Sequence, residues 1–157
     1  MKKRMGALLA ALLMLLAAVP ALAAENGISS LCVWVSLNGD GSADIEEEWK
    51  IRSVYDGTEY YKALNNVGES AVSDLRVTDD RGVEYETLNG WDVDASFDEK
   101  ANRCGIRPTD DGSYELCWGI SEMGDRTYTI SYHLEKLVKH YEDADGFYYR
   151  FVSDGMS

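Results

Sequence analysis

The 157-residue sequence predicts an all-β fold. The expected architecture is an antiparallel β-sandwich of about eight or nine short strands, preceded by a signal-peptide helix. Three observations carry this expectation. Apolar and polar side chains alternate with period two in most segments beyond residue 23. Clusters of Gly, Asp, Asn and Ser punctuate those segments at short intervals. Helical periodicity is weak, and Leu134–Tyr141, about two turns, is the one candidate. The alternation implies sheets with one face buried and the other wet.

Residues 1–23 read as a secretory leader and 24–157 as a single extracytoplasmic domain. Met1-Lys2-Lys3-Arg4 is the basic start, and Met5 to Val19 is a Leu/Ala-rich apolar run without a polar face. Pro20 ends the helix, and Ala21 and Ala23 place small side chains before a cleavage site between Ala23 and Ala24. The run is short against the roughly 20 apolar residues of a full span, although an uncleaved leader would still anchor the chain. Cys32 lies too far beyond the apolar run to be a lipidated cysteine. Export makes disulfides chemically accessible.

Past the leader, Leu31, Val33, Val35 and Leu37 alternate with Cys32, Trp34 and Ser36. The turn Asn38-Gly39-Asp40-Gly41-Ser42 follows. The next strand puts Ala43, Ile45, Glu47, Trp49 and Ile51 on one face and Asp44, Glu46, Glu48 and Lys50 on the other. Pairing the two apolar sets requires a loop with an odd number of residues, met by Gly39-Asp40-Gly41 with Gly41 left-handed. Glu47 then falls on the apolar side, which places it at a strand edge or the domain rim. Residues 53–70 are the least regular stretch: Tyr55–Leu64 fits a loop with a short strand or a helical turn. Strands are expected at Val72–Thr78 and Val83–Leu88, around the turn Asp79-Asp80-Arg81-Gly82. Trp91, Val93, Ala95 and Phe97 alternate with Asp92, Asp94, Ser96 and Asp98 as a further strand. Arg103–Trp118 reads as a hairpin turning through Pro108-Thr109-Asp110-Asp111-Gly112. Tyr128, Ile130, Tyr132 and Leu134 alternate with Thr127, Thr129, Ser131 and His133, and Phe147, Tyr149 and Phe151 close the series.

The chemistry is less specific than the fold. With 15 basic against 28 acidic side chains, the net charge of −13 disfavours nucleic acid, whose phosphates need clustered Lys and Arg. A turn centred between Asp110 and Asp111 would set Cys104 and Cys117 directly opposite each other. They would then form a disulfide or remain two buried thiols. Cys32 is the odd cysteine, read as a buried free thiol. Asn38–Asp44 superficially resembles a calcium loop but has Ala43 where the sixth position needs Gly. Asp92 and Asp94 share a strand face and would be the alternative calcium pair. Other acids cluster at Glu46-Glu47-Glu48 and at Asp143/Asp145, and most such groups are simply a solvated sheet face. His133 and His140 are the only histidines, and no zinc spacing surrounds them. His133 is expected on the wet side of its strand. A Gly-x-Ser-x-Gly elbow is absent, and no Cys–His pair is singled out. Tyr60, Tyr61, Trp91, Trp118, Tyr148 and Tyr149 would serve as a sugar-stacking platform, a protein interface, or core and rim residues.

An extended strand, the Asn-Gly-Asp-Gly-Ser turn and the acidic strand Ala43-Asp44-Ile45-Glu46-Glu47-Glu48-Trp49 are followed by Arg126-Thr127-Tyr128-Thr129-Ile130-Ser131-Tyr132. Tyr141-Glu142-Asp143-Ala144-Asp145-Gly146-Phe147-Tyr148-Tyr149 comes last. In this order the segments resemble the N-terminal extracytoplasmic domain of a family of bacterial predicted membrane proteins, domain of unknown function 2207, over residues 28–157. The resemblance implies a signal peptide, a β-rich domain and, further on, transmembrane helices. It carries over no catalytic residue. The family would continue through more strands beyond Asp154-Gly155-Met156-Ser157, so a truncated reading frame or a short secreted form is expected. The expected function is a non-enzymatic, exported cell-envelope domain acting as an interaction or structural module, with an envelope glycan- or calcium-binding module as the rival. No cofactor or metal is assigned. Its partner would be protein or glycan at the cell envelope, not nucleic acid, and it would meet the membrane only through the leader or a missing C-terminal region.

Overall fold

A computed structural model describes residues 27–65, 67 and 70–152. The expected leader, with its expected cleavage between Ala23 and Ala24, lies outside the described residues. The elements in chain order are β1 (Gly27–Leu37), β2 (Ala43–Val54), β3 (Glu59–Leu64), β4 (Val72–Asp79), β5 (Glu86–Leu88), the short helix α1 (Phe97–Lys100), β6 (Arg103–Pro108), β7 (Tyr114–Gly119), β8 (Gly124–Leu134), β9 (Lys139–His140) and β10 (Asp145–Gly146). Two four-stranded sheets, ordered β1-β2-β8-β4 and β3-β7-β6-β5, carry the core, and β9 and β10 form a small ribbon. The fold is all-β, as the alternation requires.

The first hairpin obeys the expected register. Val35, Val33 and Leu31 oppose Ile45, Glu47 and Trp49. Asn38 and Ser42 close the loop through the Asn38 N–H to the Ser42 carbonyl, leaving Gly39-Asp40-Gly41 as its tip, with Gly41 at φ 83°. Asp40 fixes the turn by accepting from the Ser42 N–H and hydroxyl.

Side chains from both inner faces interlock in the core. Ile45, Trp49 and Ile51 from β2 and Tyr128, Ile130 and Leu134 from β8 meet Leu64 from β3, Leu116 and Trp118 from β7 and Cys104 from β6. Trp49 and Trp118 touch edge to face across the layers, with centroids 5.2 Å apart.

Four expectations about elements are corrected. Residues 91–97 form no strand; the Asp92 carboxylate accepts the Asp94 N–H and bends the chain, and Glu99 accepts from the Ser96 N–H and hydroxyl to start α1. This stretch arches over the outer face of the second sheet and returns, so β5 and β6 pair in parallel rather than antiparallel. Leu134–Tyr141 is not helical: Lys136 turns through φ 51° and β9 follows. Phe147–Phe151 joins no sheet, although Tyr149 and Phe151 pack against the core.

The arch lies directly on the sheet because two strand positions lack a side chain. A Cβ at Gly105 would sit 2.3 Å from the Gly90 carbonyl oxygen, and one at Gly119 would sit 1.9 Å from that of Lys100. No larger residue permits this approach.

Candidate functional site

The alternation that makes β2 amphipathic also carries Glu47 inward, between Ile45 and Trp49. Glu47 is not at a rim; it is fully buried at 0% exposure. On β3, Tyr60, Lys62 and Leu64 share the inner face, because they oppose Trp118, Leu116 and Tyr114. Lys62 therefore points from the second sheet into the first and forms an ion pair with Glu47 Oε1. The Tyr132 hydroxyl donates to the same oxygen at 2.8 Å, and Trp49 Nε1 donates to Oε2 at 2.8 Å. Lys62 Nζ also donates to the Phe151 carbonyl at 2.8 Å and stands 5.7 Å from the centre of the Tyr132 ring. The two sheets and the C-terminal segment thus converge on one acid and one amine.

Burial dominates the electrostatics of this cluster. It pushes the Lys62 amine below its ordinary value, against the opposing pull of Glu47. It raises the Tyr132 phenol, and the Glu47 charge adds to the effect. It raises the Tyr149 phenol to about 12, again with help from Glu47. The Tyr149 hydroxyl is buried with no hydrogen-bond partner among the described residues. An amine with a lowered proton affinity against a carboxyl held by two further donors is equipped for proton exchange or acyl chemistry. Sequence reasoning found Glu47 as a misplaced acid but not its partner. The Tyr60-x-Lys62-x-Leu64 alternation was the available signal.

The residues singled out from sequence fare differently. Cys104 opposes Trp118, and Cys117 opposes Gly105, so the hairpin register is one residue from the expected one. The two thiols consequently point to opposite faces of the sheet, and both are free and buried, which corrects the direct opposition a disulfide needs. Cys117 sits beneath the arch, where burial pushes its thiol up to about 12. Cys32 is exposed on the outer face of β1, not buried. His133 lies on the wet face as expected, hydrogen-bonded to Asp44 at 2.7 Å.

The proposed aromatic platform is not assembled. Trp118 is fully buried, Tyr60 stacks against it in the core, and Trp91 donates to Glu59 on the arch. Tyr61 and Tyr148 are exposed. No group of three or more His, Cys, Asp or Glu among the described residues is arranged to hold a metal. In the calcium-like turn, Asp40 and Asp44 are occupied by Ser42, Asn38 and His133. A cleft of about 700 Å³ is lined by Val67, Leu134, Leu137, Lys139, His140 and Tyr149 among others.

One further feature distinguishes β1. Among the described residues this edge strand pairs only with β2, and it runs for 11 residues, Gly27–Leu37, without a charged residue or proline. Its inward-pointing Leu31, Val33 and Val35 stay half-buried while the residues opposite them are covered.

No helix of the described residues is long and apolar enough to cross a membrane. No curated protein and no solved structure matches the chain. A family described as "Predicted membrane protein (DUF2207) N-terminal domain" matches residues 27–157. By that match the chain belongs to the DUF2207 family of predicted membrane proteins and carries its N-terminal domain.

Proposed function

We propose that the chain is a non-enzymatic interaction module, exported and held at a membrane, that recruits a partner by adding an extended strand to the free edge of β1. The observation that carries this reading is the composition of β1. Edge strands are ordinarily blunted by charges, prolines or bulges because they expose unpaired N–H and C=O groups. β1 has a register irregularity between Ile28 and Ser30, but beyond it the run Ser30–Leu37 pairs regularly and carries no charge or proline in a chain whose residues are 27% charged, the opposite of protection. The half-buried Leu31, Val33 and Val35 offer apolar contacts to alternate side chains of an incoming strand, while main-chain hydrogen bonds supply the rest. The fitting partner is an uncharged, alternately apolar polypeptide, since the acidic remainder of the domain repels anionic ones.

A photoreactive residue at Ser36, in cells that make the full chain, tests this. A polypeptide adduct is expected from Ser36, lost in a Val33→Lys, Val35→Lys variant and absent from a control at Glu86 on β5. No adduct, or the same adduct from Glu86, overturns the edge reading. Turnover in a hydrolase panel overturns the non-enzymatic part, and a calcium-dependent rise in melting temperature would favour the ligand-binding rival.

A further inference from the structure

We propose that Lys62 and Glu47 condense into an isopeptide bond that covalently ties the two sheets together. The inference is independent of the β1 reading. It rests on the placement of the only inward-facing acid–amine pair among the described strands.

The chemistry follows from the surroundings. In water, an amine and a carboxylic acid do not condense, largely because both are ionised and hydrated. Between the sheets both side chains are fully buried, so hydration no longer favours the ionised forms. One proton transfer from the Lys62 ammonium to Glu47 gives a neutral amine and a neutral acid. Burial already lowers the proton affinity of Lys62, which favours that transfer. The Phe151 carbonyl accepts one N–H of Lys62 and so orients the remaining amine face. The fold holds nucleophile and carboxyl in contact, replacing a bimolecular encounter with an intramolecular one.

The Tyr132 hydroxyl and Trp49 Nε1 each donate to a different carboxyl oxygen. In the neutral acid one of these oxygens is the carbonyl and the other the hydroxyl that leaves, so one donor polarises the carbonyl and stabilises the oxyanion of the tetrahedral intermediate while the other sits on the departing oxygen. The balanced step is direct. Lys62 Nζ attacks Glu47 Cδ and forms the C–N bond. One amine proton passes to the departing hydroxyl, the C–O bond breaks, and one water leaves. Nothing is oxidised or reduced, and no co-reactant is needed. The product is an uncharged amide, which removes two buried charges whose desolvation otherwise opposes folding.

Mass spectrometry of the purified full chain under denaturing conditions tests the bond. The expected mass is one water below that of the sequence, allowing for any removed leader. Trypsin should fail to cut after Lys62, leaving residues 53–76 joined to the peptide that ends at Lys50. Glu47→Gln should lose ammonia instead of water and reach the same final mass as the cross-linked native chain. Lys62→Ala and Glu47→Ala should show the full mass. A native chain at its full mass, with separate peptides, overturns the proposal. So does a water loss that persists in Lys62→Ala, because that marks dehydration at an Asp-Gly step such as Asp56-Gly57 or Asp111-Gly112. The native measurement needs no variant, so poor folding of a variant leaves the result decisive.

Discussion

Lys62 and Lys100 are both buried, at 1% and 3% exposure, yet they stand in opposite circumstances. Lys62 reaches into the core between two apolar sheet faces, and its one acid, Glu47, is as buried as itself. Lys100 lies between the outer face of the second sheet and the arch that covers it. Its ammonium donates to Thr58 Oγ1 at 3.1 Å and the Val93 carbonyl at 2.6 Å and pairs with Glu59 at 2.9 Å. Glu59 keeps 20% of its side chain in solvent. Lys100 is thus a polar rivet at a wet margin, fully partnered by a loop. Lys62 is a charge that the core must neutralise. The difference teaches that burial alone does not mark a reactive lysine; isolation of its partner from water does.

The largest effect is expected at the core pair. Glu47→Ala removes the proposed cross-link and also strands the Lys62 amine, and should destabilise the fold by at least about 3–5 kcal/mol in urea denaturation. Replacing both partners with Glu47→Leu and Lys62→Met should cost less than either single truncation, because no unpaired charge remains. A double variant no more stable than either single would show that the stranded charge is not the source of the loss and would break the contrast drawn with Lys100. Next comes Gly119→Ala, whose Cβ would meet the Lys100 carbonyl oxygen at 1.9 Å. It should lift the arch and cost about 1–3 kcal/mol, read as a lower melting temperature with altered near-ultraviolet dichroism from Trp91. Lys100→Met should cost about 1–3 kcal/mol, less than Glu47→Ala, because water can reach the Glu59 carboxylate left behind. A loss equal to that of Glu47→Ala would erase the distinction between the two sites.

The smallest effect belongs to an exposed pair, Asp44 and His133, which serves as a solvent-side reference. The hydrogen bond to Asp44 raises the His133 proton affinity, so this contribution is full below the unfolded histidine value, about 6.5, and fades as pH rises through the higher folded one. Hydrogen bonds from His133 and then Asn38 lower the Asp44 value. That contribution is present above the unfolded aspartate value, about 3.9, and is lost as pH falls through the lower folded one. The melting temperature should therefore show a shallow maximum in mildly acidic solution, and His133→Gln should flatten its decline toward alkaline pH.

The two glycine hairpins show how much of the fold was legible. Asn38–Ser42 and Thr109–Ser113 close by the same bonds: first N–H to last carbonyl, glycine N–H to first carbonyl, and a middle Asp holding the Ser N–H. Gly41 and Gly112 are both left-handed. In the first hairpin two apolar series had to meet on one face, and this forced the odd loop. In the second, a turn placed between Asp110 and Asp111 put the cysteines opposite each other, whereas the actual centre is Asp111. The earlier loop, carried over to the later one, would have supplied the right register.

Trp91–Phe97 misled for a different reason. Its period-two pattern is genuine, but Asp92 and the Ser96–Glu99 capping box turn the backbone locally, and Trp91, Ala95 and Phe97 are half-buried while Val93 is exposed, without strand pairing. The Ser-x-x-Glu spacing was visible; its competition with the alternation was not decided by pattern alone.

The facing of β1, β2 and β8 was determined by the sequence itself, because period-two burial is a property of each short segment, although Trp91–Phe97 and Phe147–Phe151 alternate without becoming strands. The leader-like start and the uncharged run of β1 are likewise written in residue order, whereas its place at a sheet edge comes from the strand order. Only the tertiary structure decided that Glu47 meets Lys62, that the cysteines face apart, and that an arch covers the second sheet. Those outcomes depend on which strand lies across from which. Hydrophobic burial draws the sheets together without direction, and the side chains that then share the dry interior are set by packing between segments distant along the chain.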